Sequence, residues 1–239
     1  MRYKITLSYD GASFCGWQSQ PSGGSVQDAV EAAVQKLFGC KAAVVGSGRT
    51  DAGVHALAQV AHFDSEKVLP LKNVVGGLNA YLPDAVRVTE AECVDGTFDA
   101  RKSVKKKTYM YIMYDGTVTP LLETRALKVD ELDEVAMNRA CAELVGTHDF
   151  ATFKAAGSSA KTSVRTVFDA HVERKGRLYL FFITADGFLY NMVRIITAQL
   201  VKIGGGEEVD IKALMEKRDR TAAKETAPAK GLYLYRVEY

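Results

Sequence analysis

Apolar and polar positions alternate at the start of the chain. In MRYKITLSYD, Tyr3, Ile5, Leu7 and Tyr9 fall on one side of an extended segment, so the period of two predicts a strand. The period then lengthens. In SVQDAVEAAVQKLF, Val26, Ala29, Val30, Ala33, Val34 and Leu37 share one face at helical spacing, and Ser25 with Asp28 three residues on has the form of a capping box. A short strand is expected at 42–45 and another at 58–64, with GSGRTDAGVHA between them. Residues 71–82 read as a second helix, weakened by Gly76 and Gly77 and ended by Pro83. Residues 86–93 read as a strand. The order β-α-β-β-α-β is that of the split βαβ, or ferredoxin-like, unit.

The same order returns without any repeat of sequence. Residues 108–114 predict a strand. Residues 131–145 predict a helix with Leu132, Val135, Ala136, Ala140 and Leu144 inward, stopped by Gly146. Two strands, 164–173 and 178–184, turn at Lys175 and Gly176. A helix over 189–203 ends in Gly204, Gly205 and Gly206. A short helix at 211–217 and a closing strand at 232–237 complete the series. The pattern thus predicts an α+β protein of two ferredoxin-like βαββαβ halves, residues 1–105 and 106–239. Together they form a broad, mainly antiparallel sheet with helices on one face, and the cleft where the halves meet is the expected place for a site.

Composition narrows the function. The 239 residues are ordinary in apolar and charged content. No apolar run is long enough for a membrane span, and the first residues lack the apolar core of a signal peptide, so a cytoplasmic location is expected. Cys15, Cys40, Cys93 and Cys141 are far apart and predict reduced thiols in apolar places, not a zinc site or a disulfide frame. His55, His62, His148 and His171 lack metal-ligand spacing. No metal and no cofactor is expected. Net charge is only +2, modest for a nucleic-acid binder. Locally, however, RKSVKKK places Arg101, Lys102, Lys105, Lys106 and Lys107 within seven residues, as either a solvated edge or a phosphate-contacting segment.

The loop GSGRTDAGVHA surrounds Arg49 and Asp51 with small residues. It is neither a P-loop nor a dinucleotide fingerprint. One reading is a glycine-rich connection carrying a surface Arg–Asp pair. The other is a carboxylate that a substrate carbon can approach without a clash, kept ionised by a nearby arginine against the effect of burial.

These residues resemble the TruA family of tRNA pseudouridine synthases, and the resemblance runs almost the whole chain. GRTDAGVHA is similar to the family's catalytic loop, YDGASFCGWQSQP to its first loop and SVQDAVEAAV to its first helix. LNAYLPDAVRV, FDAR, KTYMY, GTHDFATF, SVRT, GFLYNMVRII and APAKGLYLYRVEY resemble later blocks in the right order. There are departures: Asp99 stands where the family pattern has histidine (FHAR), Asn191 where members carry His, and Ile195 where they carry Asn.

The resemblance implies an isomerase that breaks the N1–C1′ bond of a uridine in tRNA, rotates the uracil and rejoins it through C5. The expected targets are positions 38, 39 and 40 of the anticodon stem-loop. Asp51 aligns with the family's essential aspartate. The carboxylate could attack the base, attack C1′, or assist departure to a glycal-like intermediate. Tyr109 aligns with the tyrosine against which a flipped uracil stacks, although a strand tyrosine is as readily a core residue. Arg194, on an otherwise apolar helix, either reaches water past that rim or, as the resemblance implies, pairs with Asp51, leaving Arg49 to aid flipping. Phe14, Trp17 and Gln18 join the basic segment as expected RNA contacts, with a hydrophobic plug the other reading of Trp17. A homodimer with tRNA across both subunits is implied. The rival readings are a non-catalytic RNA-binding protein on the same scaffold, although the sequence lacks the aromatic RNP1 run of such sheets, and a small-molecule enzyme using Asp51, although it lacks a phosphate cradle.

Overall fold

The computed structural model describes residues 1–117, 119–158 and 160–239. The chain divides into two compact units, Met1–Lys105 with Tyr233–Tyr239, and Lys106–Leu232.

In the first unit β1 (Arg2–Tyr9), α1 (Val26–Phe38), β2 (Val45–Gly46), β3 (His55–Asp64), α2 (Leu71–Tyr81) and β4 (Val86–Val94) follow one another. The strand order is β4-β1-β3, with β2 on β3, and β1 is antiparallel to both neighbours. The alternation seen in sequence is physical: Tyr3, Ile5 and Leu7 are fully buried and Tyr9 nearly so. Val26, Val30, Ala33 and Val34 of α1 are buried too, and Tyr3, Phe38 and Phe63 join strand and helix as an aromatic cluster at 5.3–5.4 Å. Each large apolar side chain buried in this way contributes about 1.5–3 kcal/mol. The capping box of α1 is present, Ser25 Oγ accepting from Asp28 N and Asp28 accepting from Ser25 N. Strand β3 begins at His55, earlier than the expected 58, because its first residues are paired: Ala56 opposite Tyr9 of β1, and His55 and Ala56 parallel with Tyr233 and Leu234.

The second unit contains β5 (Lys106–Asp115), α3 (Pro120–Glu123), β6 (Leu127–Val129), α4 (Glu134–Leu144), β7 (Gly146–Asp149), β8 (Val164–Lys175), β9 (Leu178–Ala185), α5 (Met192–Gly204) and α6 (Ile211–Lys217). The order β5-β9-β8-β7 is antiparallel throughout, and β6 adds to β5 in parallel. Tyr179, Phe181, Ile183 and Ala185 of β9 are buried, as are Met137, Cys141 and Leu144 of α4 and Ile195, Ile196 and Leu200 of α5.

Several expectations change. Helix α4 begins three residues later than its pattern suggested, capped by Asp133. Its inward face is Met137, Ala140, Cys141 and Leu144, while Val135 is 65% exposed. Helix α5 begins at Met192, since Asn191 takes a left-handed conformation at its N-cap. The closing strand β10 (Leu232–Glu238), expected to complete the second half, pairs in parallel with β3, and Tyr233–Tyr239 belong to the first unit. All four cysteines are free. Burial pushes the Cys141 thiol up to about 12, whereas Cys40 and Cys93 are exposed rather than in apolar places.

Candidate active site

The loop from Ser47 to Val54 leaves β2 and enters β3. Its base is fixed by a polar residue inside an apolar strand. Gln59, fully buried, accepts from Ser47 Oγ at 2.6 Å and donates to Gly48 O at 3.0 Å, while Ser47 N donates to Val60 O at 2.7 Å. Tyr9 from β1 meets Thr50, OH to Oγ1 at 2.8 Å, and burial raises the Tyr9 phenol so that it stays neutral. The carbonyl of Asp51 accepts from Val54 N at 3.1 Å, closing the turn that contains Ala52 and Gly53. Asp51 is thus carried on a braced turn and is half-buried, with Arg49 exposed beside it.

The first loop, residues 10–20, is the outer brace. Trp17 N donates to Thr50 O at 3.0 Å. A Cβ on Gly16 would lie 2.7 Å from Thr50 O and 3.2 Å from both Ala52 N and the Asp51 carbonyl carbon. Gly16 also sits at φ +106, where side chains are strained. Gly11 N donates to His55 Nδ1 at 3.1 Å, and the imidazole stacks on Tyr233 at 4.6 Å. Trp17, expected among the RNA contacts, is only 3% exposed, and its ring fills the space over Gly46, where a Cβ would come within 2.5 Å of it. That ring is packed as a plug, the other reading of Trp17. Phe14 is half-buried and Gln18 exposed.

In the second unit Tyr109 lies on β5 opposite Ile183, half-buried, with its ring edge-to-face to Phe188 at 5.0 Å. Tyr111, on the same side, is fully buried and donates to Pro228 O at 2.7 Å. Burial pushes the Tyr111 phenol up, against a smaller downward pull from Arg194. Arg194 is half-buried in the first turn of α5. Its Nε donates to Ala227 O at 2.7 Å and its Nη1 to Asn191 Oδ1 at 2.8 Å, while Ala227 N returns a bond to Arg194 O at 3.0 Å. The guanidinium therefore has a set direction. Asn191 at φ 60 is in the left-handed region, which asparagine tolerates better than most residues.

The basic segment spans both units. Arg101, Lys102 and Lys105 are exposed, and Lys105 N donates to Glu238 O at 2.9 Å. Lys106 and Lys107 are half-buried, and the Lys106 ammonium lies 4.5 Å from the centre of the Phe168 ring, a cation–π contact. Among the described residues, no group of three or more His, Cys, Asp and Glu side chains is disposed to hold a metal ion, and no helix is long and apolar enough to cross a membrane.

A family model described as tRNA pseudouridine synthase matches residues 5–101 and 140–239. The chain belongs to the tRNA pseudouridine synthase family. Similar proteins named tRNA pseudouridine synthase A include one from Acetivibrio thermocellus, 44% identical over 99% of this chain and 98% of that one. Another, from Caldicellulosiruptor saccharolyticus, is 39% identical over 98% of each chain. A third, tRNA pseudouridine synthase A 2 from Clostridium perfringens, is 40% identical over 99% and 98%. As a tRNA pseudouridine synthase the chain is an isomerase that converts uridine in tRNA. Sequence reading missed the residues that hold its loop, Gln59, Thr50 and Tyr9, and the one that holds the Arg194 side chain, Asn191. Gln59 had a signal: a lone amide among Ala58, Val60, Ala61 and Phe63 has to find buried partners.

Proposed function

We propose that this pseudouridine synthase acts at positions 38, 39 and 40 of the tRNA anticodon stem-loop, with Asp51 as its essential carboxylate. The observation that carries this reading is the placement of Asp51. A side chain with small neighbours rides on a turn pinned by Gln59, Thr50 and the Gly16–Trp17 backbone. Preorganisation of this kind lets a charged group act without rearranging in the transition state. The target uridine is flipped out of its stem and its uracil stacks on Tyr109, whose ring Phe188 holds from the edge. The N1–C1′ bond then breaks, the uracil turns, C5 bonds to C1′, and the proton on C5 is released as N1 takes one up. Atoms balance with no redox step. Attack on C1′, attack on the base and assistance to departure all need Asp51 ionised, and the family resemblance assigns Arg194 as the cation that keeps it so; within its own unit the guanidinium is held by Asn191 and Ala227. Arg49 assists flipping. Phe14, Gln18 and the Arg101–Lys107 segment contact the RNA, recognition resting on tRNA shape rather than base sequence. A homodimer working in the cytoplasm completes the reading.

The experiment is a pair of measurements on unmodified tRNA with wild-type protein, Asp51→Ala and Asp51→Asn. The reading expects both variants to lose all detectable isomerisation while binding tRNA within about threefold of wild type, since phosphate contacts supply most of the affinity. An Asp51→Ala protein that still forms pseudouridine contradicts it.

A further inference from the structure

The departure at Asp99 puts a carboxylate inside a basic stretch, where repulsion of RNA would be the simple expectation. The bonding there says otherwise. Asp99 Oδ1 accepts from Arg101 N at 2.8 Å and Lys102 N at 2.9 Å. Asp99 and Ser103 exchange two more bonds, Asp99 N to Ser103 Oγ at 3.1 Å and Ser103 N to Asp99 O at 2.9 Å. The Lys102 N–H, with help from that of Arg101, holds the carboxyl below the usual carboxylate range despite partial burial. The turn is also tied down from outside. Arg2 donates to Gly96 O and Phe98 O at 2.6 and 2.7 Å, Ala100 N donates to His62 Nδ1 at 3.0 Å, and Tyr239 OH donates to Ala100 O at 2.8 Å. Ala100 is fully buried.

With the amides of residues 98–103 committed to protein acceptors, the turn offers no backbone nest to an anion. What it offers is two exposed cations, Arg101 and Lys102, the Lys102 side chain 86% exposed and its Nζ 4.0 Å from Asp99 Oδ2. Phe98 is half-buried and already has partners, the Tyr239 ring at 4.9 Å and the Lys4 ammonium at 5.8 Å. The chemistry on show suits a phosphate. His62, which anchors the turn, lies seven residues along β3 from His55, roughly 23 Å at strand rise, so the turn is far from Asp51. Only an extended polyanion reaches both.

We propose that Asp99 is a positioning residue, its carboxylate shaping the turn 98–103 so that Arg101 and Lys102 meet an RNA phosphate remote from the reacting uridine. This rests on the tRNA-isomerising reading above and adds to it a second anchor within the first unit.

The test compares steady-state kinetics and salt-dependent tRNA binding for wild type, Asp99→Asn, Asp99→Ala, the double variant Arg101→Gln with Lys102→Gln, and that double variant combined with Asp99→Ala. Asparagine keeps an acceptor oxygen without the charge, so Asp99→Asn should stay within about threefold of wild type. Asp99→Ala should raise KM about tenfold with kcat within twofold, and the double variant should do the same with a shallower salt slope. Adding Asp99→Ala to the double variant should cost nothing more. The proposal is overturned if Asp99→Ala leaves KM unchanged, if Asp99→Asn and Asp99→Ala both tighten binding, or if Asp99→Ala costs as much with the two cations gone. The double variant alters only exposed side chains, so unchanged tRNA binding by it overturns the proposal even if Asp99→Ala fails to fold. Wild-type protein that neither binds nor isomerises tRNA brings down the functional reading itself, an outcome distinct from active wild type with indifferent variants.

Discussion

Asn191 shows how much of this site is decided one residue at a time. Its backbone at φ 60 costs most residues about 1–2 kcal/mol, and its side chain fixes one arm of Arg194. The two roles separate by substitution. Asn191→Gly keeps the left-handed backbone and removes the carbonyl, so a drop in kcat of about tenfold with an unchanged melting temperature is expected. Full activity would show that the contact does not aim the guanidinium. Trp17 is a second case. As a buried plug its change to Ala should cost about 3–5 kcal/mol in urea unfolding, whereas a base-stacking tryptophan would lose tRNA affinity at constant stability. His62 makes the third. Burial, and then Arg2, hold its imidazole below the ordinary value, so the unfolded chain takes up a proton before the native state does. The stability it contributes is present above about pH 6.5 and is lost as pH falls from there toward the folded value. Thermal melts should therefore fall further between pH 7.5 and 5.5 for wild type than for His62→Asn, which keeps an acceptor for Ala100 N and does not titrate. Equal slopes would contradict this.

Elements were legible where their signal is local. The β1 alternation, the α1 capping box and the stop of α2 at Pro83 are properties of adjacent residues, and each stands in the structure. Elements set by distant partners were not. Strand β7 is four residues and β6 three, too short for a period, and both exist because a neighbouring strand pairs with them. The late start of α4 follows from Asp133 accepting from Ala136 N, a cap hidden among Asp130, Glu131 and Asp133. The two loops of the first unit behave as one element, since the backbone of Gly16 and Trp17 lies against that of Thr50 and Asp51. Gly16→Ala should therefore destabilise the first unit by about 2–3 kcal/mol and abolish isomerisation. A stable, active Gly16→Ala protein, by circular dichroism and turnover, would mean that the brace is dispensable.

On the scale of the whole chain, the sequence carries the βαββαβ order of the first half, and the structure returns it as β4-β1-β3 with β2 at the edge of β3. It did not carry the return of β10 to β3, a pairing across more than 170 residues that no local pattern encodes. Arg49, Asp51 and the basic segment stood out from their own residues, their roles came through motif resemblance, and the structure gives the candidates their local settings: Asp51 on its braced turn, Arg194 held by Asn191 and Ala227, Tyr109 against Phe188. A net charge of +2 on 239 residues means that tRNA affinity must come from local clusters, so binding should weaken steeply between low and physiological salt. The most direct measurement is base-resolved mapping of pseudouridine in unmodified tRNA transcripts carrying a uridine at 38, 39 or 40, after incubation with wild-type and Asp51→Ala protein. Product at those positions from wild type alone is the predicted result. Product elsewhere in the tRNA, or product from Asp51→Ala, would contradict the account.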